Sequence, residues 1–185
     1  MTATQSIMSA LESNWRMVDS ALDGLDEALL NRRPGSQTNS ISWILWHMNR
    51  VMDIFIQTRL HGKPQIWIEK GWYREFGMND DPDLRGVGWT AEQVSEWEAP
   101  SREVQLGYYK AVQAGAREVI PALSAEDLAD RNNKGVQLGG GKVMPPPKER
   151  RSVAEALGVM VWDNIAHGGQ IAYLRGLYGG MGWHS

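Results

Sequence analysis

The fold is decided by residues 152–179, whose sequence is SVAEALGVMVWDNIAHGGQIAYLRGLYG. The first residues, Ser152 to Glu155, form a capping box, a serine and a glutamate spaced to satisfy the free amides at a helix N-terminus. Beyond it, residues recur in alternating steps of four and three, the spacing of one helix face. This stripe consists of Val153, Leu157, Met160, Asn164, His167, Ile171, Leu174 and Tyr178. The segment predicts one long helix with a largely apolar buried face that ends near Gly179-Gly180.

Polar residues interrupt this face at its middle, at Asp163, Asn164, His167 and Gln170. Asp163 and His167 are four positions apart, so their side chains lie one turn apart on the same face. This spacing allows two residues of one helix to bind one metal ion, although a simple ion pair has the same spacing. Amides are poor ligands for transition metals, so Asn164 and Gln170 are expected to support the ligands or to lie in a polar part of the core.

A second helix carries a matching polar residue. It should begin near Asn39-Ser40, which are good N-caps, and stop at Gly62. His47 interrupts its apolar stripe, and packing along the two stripes would bring His47 to Asp163 and His167. Burying these groups is costly unless they are paired or bound to metal. Two imidazoles and one carboxylate suit Zn, Ni, Fe or Mn, whereas a structural, hydrogen-bonded core histidine is the alternative.

Two further long helices complete the pattern. One apolar face runs from Ile7 to Leu29 and ends at Arg33-Pro34-Gly35, and a later helix runs from Pro100-Ser101 to about Ile120. Four long helices without an internal repeat predict an all-α four-helix bundle, with residues 1–185 forming a single domain.

The connections between these helices differ in character. Residues 63–90 are rich in glycine and proline and predict a long ordered loop between helices two and three. Its tryptophans, Trp67, Trp72 and Trp89, are expected to pack in the core or to line a pocket. Thr90 should cap a short helix to about Glu98, and Ser124 should open another helical turn. Residues 135–147 have no packing pattern.

Composition excludes several kinds of function. The chain has 185 residues, a net charge of −3 and no strongly basic segment, so no nucleic-acid partner is expected. It contains no cysteine, which excludes disulfides, thiolate nucleophiles and cysteine-based metal sites. No apolar stretch is long enough to span a membrane, and Met1 to Ser13 lacks the pattern of a signal peptide, so a cytoplasmic location is expected.

The chain resembles the DinB/YfiT-like superfamily of metalloproteins, which are four-helix bundles. Two segments carry the resemblance: Ser42-Trp-Ile-Leu-Trp-His47-Met-Asn-Arg-Val is similar to the second helix of the family, and Asp163-Asn-Ile-Ala-His167-Gly-Gly-Gln170-Ile-Ala-Tyr-Leu-Arg175 to its last. The family pattern places three histidines around the metal, and His47 and His167 match two of them. This chain has Asp163 where the third histidine commonly stands, so the resemblance implies a site of two histidines and one aspartate.

The resemblance also implies a reaction. Members with known activity are often transferases or isomerases that use a small cellular thiol, so a metal-dependent enzyme with a low-molecular-weight thiol and a small-molecule substrate is the leading hypothesis. An ordinary surface or interhelical salt bridge is the favoured role for Arg50, one turn after His47, and holding a carboxylate of the substrate or of the thiol cofactor is the alternative. A non-haem iron enzyme that activates oxygen and a non-catalytic, metal-stabilised binding or stress-response module are the other hypotheses. A symmetric homodimer through a bundle face is expected.

Overall fold

Four long helices form the bundle. The computed structural model describes residues 2–131, 136–137, 143–144 and 151–184. All-α architecture and a helical bundle, both predicted, are confirmed. The four long helices are α1 (Ala3–Leu22), α3 (Ile41–Asp53), α7 (Arg102–Val119) and α9 (Val153–Gly179).

Shorter elements connect the long helices. A π-helical segment, Ile54–Leu60, extends α3, and a 3₁₀ turn, Ile120–Ala122, ends α7. Two-residue strands β1 (Val136–Gln137) and β2 (Val143–Met144) pair antiparallel within the connection before α9, while the rest of 135–147 lies outside the described residues. The short helices are α2 (Glu27–Asn31), α4 (Ile66–Glu69), α5 (Trp72–Glu75), α6 (Ala91–Glu96) and α8 (Ala125–Ala129).

Hydroxyl side chains fix where most helices begin. Ser40, Ser101 and Ser152 each accept a hydrogen bond from a backbone amide of the first turn, at α3, α7 and α9 respectively. Thr90 and Ser124 cap α6 and α8 in the same way. These starts agree with the sequence pattern because capping depends on local residues alone.

Two sequence predictions were wrong. The first helix does not continue to Leu29: Gly24 has a φ of 67°, and Asp26 caps a new helix, α2. The apolar spacing persisted across this break because Leu25 and Leu29 pack on the same core as Leu22 of the first helix. Residues 63–90 are not one long loop either, since α4 and α5 occupy part of them. Each has four residues, too short to show helical periodicity.

The order of the helices around the bundle follows from their contacts. α9 packs against both α1 and α3, and α3 also packs against α7. α1 and α7 are antiparallel, because Arg102 reaches Leu22 at one end and Arg117 pairs with Glu12 at the other. α9 therefore lies between α1 and α3, which places its polar residues beside those of α3.

Tryptophan side chains fill much of the core. Trp15, Trp46 and Trp67 are almost fully buried, and Trp72 and Trp89 pack against the core with partial exposure. These contacts favour the core-packing interpretation for Trp67 and Trp72, whereas Trp89 both packs against the core and lines a surface cavity. Among the described residues, no helix is both long and apolar enough to cross a membrane.

A glycine sets how closely α9 approaches α1. A Cβ atom at Gly168 would collide with the side chain of Asn14. Asn14 in turn donates to the carbonyl oxygen and the side-chain oxygen of Asn164, at 3.0 and 2.9 Å. This buried hydrogen bond and the missing Cβ fix the position of α9 next to His167.

We expect Gly168→Ala to lower the free energy of unfolding by about 1–3 kcal/mol, because the added methyl group overpacks this contact. The same substitution in an Asn14→Ala background should cost much less, since the colliding side chain is gone. Urea denaturation of the four proteins of this double-mutant cycle measures the coupling. Equal costs in both backgrounds would contradict the proposed contact.

Candidate metal centre

The structure brings His47, Asp163 and His167 together at the contact between α3 and α9. Each residue offers one ligand atom, and these atoms all lie within 4.8 Å of one another. His47 is buried, whereas the side chains of Asp163 and His167 are 22% and 18% exposed. The cluster is therefore anchored in the core and open toward solvent on the α9 side.

The orientation of the His47 ring is fixed from two sides. Its Nδ1 donates a hydrogen bond to the backbone carbonyl of Arg85. Trp43 stacks on the ring, with centroids 5.0 Å apart and planes 6° from parallel. Because Nδ1 carries the proton in this bond, the lone pair of neutral His47 is on Nε2.

His167 is held in a similar way on α9. Its Nδ1 lies 2.9 Å from Oε1 of Gln170, and its Nε2 lies 3.5 Å from Oδ1 of Asp163. The rings of His47 and His167 meet edge to face with centroids 4.8 Å apart. Donation to Gln170 again leaves the lone pair of the neutral ring on Nε2.

The Nε2 atoms of the two neutral histidines and the carboxylate of Asp163 are all hydrogen-bond acceptors, and they lie close together with no donor between them. With both Nδ1 protons used elsewhere, the free ring nitrogens meet a carboxylate, and the Oδ2 atom of Asp163 is buried with no hydrogen-bond partner among the described residues. Such a set is unfavourable unless a cation lies between the acceptors. The donor set thus fits a divalent metal ion held by two histidines and one carboxylate.

The pKa values of the two histidines reflect the same arrangement. Burial lowers the pKa of His47, and its bond to the Arg85 carbonyl only partly opposes this. Burial also acts to lower the pKa of His167, but the interactions with Asp163 and Gln170 outweigh it and raise the pKa overall. Without a metal ion, a proton on His167 is the cation that the cluster favours.

Arg50 anchors the segment that orients His47. Its guanidinium is fully buried and donates to the carbonyl oxygens of Leu84 and Pro82, at 2.8 and 3.2 Å, and to the side chain of Gln65 at 2.8 Å. Leu84 directly precedes Arg85, whose carbonyl binds His47. This arrangement favours the salt-bridge interpretation of Arg50 and leaves no exposed surface for a substrate carboxylate.

Asp53 and Tyr108 complete the environment of Arg50. Asp53 Oδ2 lies 3.6 Å from the guanidinium and accepts from the Tyr108 hydroxyl at 2.8 Å. Asp53 also accepts from the backbone amides of Ile66 and Trp67, which holds α4 in place. Burial raises the pKa of Asp53, opposed by Arg50, and raises that of Tyr108 well above its usual value, so the phenol remains a donor.

The remaining candidate residues have distinct positions. Asn164 is buried and binds Asn14 of α1, whereas Gln170 is exposed and holds the ring of His167. His61 follows the π-helical segment and His184 lies in the exposed C-terminal tail, and neither belongs to the metal-ligating cluster. Asn164 therefore supports the helix contact and Gln170 supports a ligand.

Sequence reasoning missed several groups of the site. The carbonyl of Arg85 has no sequence signal, because any residue has a carbonyl. Trp43, four positions before His47, and Asp53, three positions after Arg50, do have helical spacing and could have been found. Gln65 and Tyr108 come from distant segments and only the fold brings them to Arg50.

Comparisons with known proteins agree with this fold. The family model described as the DinB superfamily matches residues 10–171. A crystal structure of a conserved protein from Enterococcus faecalis is similar with a TM-score of 0.77 and 21% sequence identity, covering 96% of this chain and 97% of that chain. At this identity the similarity shows the fold alone. A comparison with curated protein sequences gave no match.

Two glycines of the 81–89 segment provide a matched pair for testing how closely this segment packs. Gly86 and Gly88 have φ values of 78° and 80°, so alanine strains the backbone at both. A Cβ at Gly86 would also lie 2.7 and 2.8 Å from Trp43 and Trp46, whereas none of the described atoms lies within 4 Å of one at Gly88. We expect Gly86→Ala to destabilise the protein by about 1–3 kcal/mol more than Gly88→Ala in urea denaturation. Equal losses would show that the tryptophans do not confine Gly86.

A second pair of substitutions, Arg50→Lys and Arg59→Lys, tests the anchoring role of Arg50. Arg50→Lys keeps the charge but loses the forked donors, so unfolding should become easier by about 2–4 kcal/mol. Arg59, exposed in the π-helical segment that extends α3, is the control, and Arg59→Lys should change stability by less than about 0.5 kcal/mol. Thermal and urea denaturation measure both. A loss in Arg50→Lys no larger than in the control would contradict the role of the buried guanidinium.

Proposed function

Because the chain belongs to the DinB superfamily, we propose that it binds one divalent metal ion through His47, Asp163 and His167 and uses it in a thiol-dependent transfer or isomerisation. The observation that carries the metal site is the convergence of three ligand atoms within 4.8 Å, with a buried Asp163 oxygen that has no other partner among the described residues. The reaction is supported by the family resemblance and by the openness of the cluster on the α9 side.

Zinc and nickel are the metals that we propose. Neutral imidazoles and one carboxylate suit both, and three protein ligands leave coordination positions for an exogenous group, as in catalytic zinc sites. Bound there, the ion would act as a Lewis acid and favour the deprotonated form of a thiol. Asp163 in place of the third histidine lowers the net charge of the site, which makes the ion a weaker Lewis acid than one held by three histidines.

The sulfur of the reaction must come from a second molecule, since the chain contains no cysteine. In the proposed transfer, the thiolate sulfur forms a bond to an electrophilic carbon. The leaving group departs with the bonding electron pair, and the thiol proton goes to solvent. His47 and His167 contribute by holding their Nδ1 protons on Arg85 and Gln170, which keeps the other nitrogens directed to the site.

A cavity beside the site supports a small-molecule substrate. It has a volume of about 480 Å³ and is lined by residues of the 81–89 segment, whereas His47, Asp163 and His167 are not among its lining residues. Arg85, whose carbonyl binds His47, is one of the lining residues. The charged side chains Asp81, Asp83 and Arg85 make this cavity polar, which suits a charged or hydrogen-bonding substrate.

The ligand set itself favours one second candidate. Two histidines and one carboxylate also hold iron in enzymes that activate oxygen. That function requires iron as the bound metal and oxygen consumption with a substrate. Metal analysis therefore separates the two candidates before any substrate is known.

We expect the protein purified without an affinity tag or added metal to contain about one equivalent of zinc or nickel. His47→Ala, Asp163→Ala and His167→Ala should lose it, because each removes one of three ligands. His61→Ala and His184→Ala are matched controls and should keep it. Elemental analysis by mass spectrometry gives the metal content, and equal content in all variants would overturn the proposed site. Iron with oxygen uptake would favour the second candidate.

Metal binding should also stabilise the folded protein. An ion at about 100 times its dissociation constant adds about 2.7 kcal/mol to the free energy of unfolding. Re-addition of zinc or nickel after chelation should raise the melting temperature of the native protein and of His61→Ala, but not of Asp163→Ala. A metal-loaded protein that consumes no thiol in a screen of small thiols with electrophiles would be a metal-stabilised module without catalysis.

A further inference from the structure

The outer face of α9 is apolar and exposed. Trp162 is 69% exposed, Tyr173 71%, Leu177 54% and Val159 46%. These residues follow one another at steps of 3, 11 and 4, and 11 residues make about three helical turns, so they share the face of α9 opposite the one that packs on α1 and α3. A helix that is apolar on all sides is normally covered on all sides.

Charged groups are nearly absent from this helix. In its 27 residues α9 has three Asp, Glu, Lys or Arg side chains, Glu155, Asp163 and Arg175, together with His167. The exposed face between Val159 and Leu177 therefore offers no charge pattern to a nucleic acid or to an oppositely charged protein. It is suited to an equally apolar partner surface.

The exposed apolar area on this face is large enough to form the centre of a protein interface. Two aromatic side chains exposed by about two-thirds contribute roughly 300 Å², and the aliphatic residues raise the total to roughly 500 Å². A standard interface buries about 800 Å² on each partner, so this patch would form the apolar centre of such an interface. It lies in the upper part of the roughly 300–600 Å² that the largest apolar patch of a monomer reaches. Neighbouring polar residues at the rim would supply the remaining area.

The exposed face of α9 can pair with the same face of a second, antiparallel copy of α9, because the residues that would meet are compatible in size. If a copy of α9 lies antiparallel with a two-fold axis level with His167 and Gly168, Trp162 faces Tyr173 of the copy. In the same register Ala166 faces Gly169, so small residues meet at the centre where two helices approach most closely. Leu177 faces Gly158, and no described atom lies within 4 Å of a Cβ placed at Gly158 or Gly169.

We propose that the exposed face of α9 binds the same face of a second copy of this chain, antiparallel in this register. Pairs of bulky residues and pairs of small residues then alternate along the contact, so the two helices can approach most closely where the small residues meet. The contact is isologous, since each pair occurs twice, and therefore closes at two copies. Asp163 lies level with Ala172 of the copy, and Arg175 lies level with Met160, which is buried in the core of its own chain, so no like charges are brought level with one another.

This contact would also affect the metal centre. Asp163 and Gln170 lie at the border between the packed and exposed faces of α9, since one is half-buried and the other exposed. The second copy would therefore form part of the rim through which a small molecule reaches the cluster. The proposal does not rest on metal binding and can succeed or fail independently of it.

The first test is the molecular mass of the protein in solution, which distinguishes a dimer from a monomer. The full chain should be a dimer at micromolar concentration in sedimentation equilibrium. Trp162→Arg and Tyr173→Arg should each raise the dimer dissociation constant by on the order of 30-fold, as expected for buried aromatic residues of an interface. Val87→Arg is the matched control, since Val87 is 66% exposed but lies outside α9, and should have no effect. A monomer, or a dimer unaffected by both α9 variants, would overturn the proposal.

Cross-linking tests the register without relying on disruptive variants. The chain has no cysteine, so every thiol is an engineered one. In the antiparallel register a mixture of Trp162→Cys and Tyr173→Cys proteins should be joined by a short bismaleimide. Trp162→Cys alone should not, because the two copies of residue 162 are offset by about 16 Å along the helix. Cross-linking of Trp162→Cys to itself, or no product in the mixture, would contradict the register, and Val87→Cys gives the background level.

Discussion

A fully buried guanidinium is the constraint on which the site depends. Arg50 cannot be placed in the interior of a helix bundle unless protein groups replace the water around it. The carbonyls of Leu84 and Pro82, the amide of Gln65 and the carboxylate of Asp53 do so. Segments that are far apart in sequence must therefore converge on one point of α3.

The contacts of Arg50 also affect the metal centre, because they hold the backbone next to the carbonyl that His47 binds. Leu84 is held by Arg50, and the next residue, Arg85, accepts from His47. Gly86 follows with a backbone and a packing contact that only glycine tolerates, against Trp43 and Trp46. The bond to the Arg85 carbonyl sets the tautomer of His47 and with it the nitrogen available to a metal ion. Arg50, which lies one turn away and outside the ligand cluster, helps to hold that carbonyl in place.

α9 supplies the other half of the centre under a similar constraint. Gly168 allows α1 to approach, and the hydrogen bond between Asn14 and Asn164 holds that approach. Asp163 and His167 are then directed toward α3 rather than toward solvent. The result is a cluster of acceptors that is stable with a cation bound and costly without one, which is the physical basis for the proposed metal binding. The exposed side of the same helix is the basis for the proposed second copy.

Helix periodicity and capping are local, and the sequence alone therefore determined four long helices, the serine caps at Ser40, Ser101 and Ser152, and the shared stripes containing His47, Asp163 and His167. It did not predict the break at Gly24, the short helices α4 and α5 within residues 63–90, or the groups with which Arg50 pairs. These depend on contacts between distant segments: a four-residue helix has too few turns to show a period, and a carbonyl such as that of Arg85 looks the same in every sequence. Only the tertiary structure could decide which buried charge holds which backbone oxygen, because that pairing is fixed by the positions of whole helices.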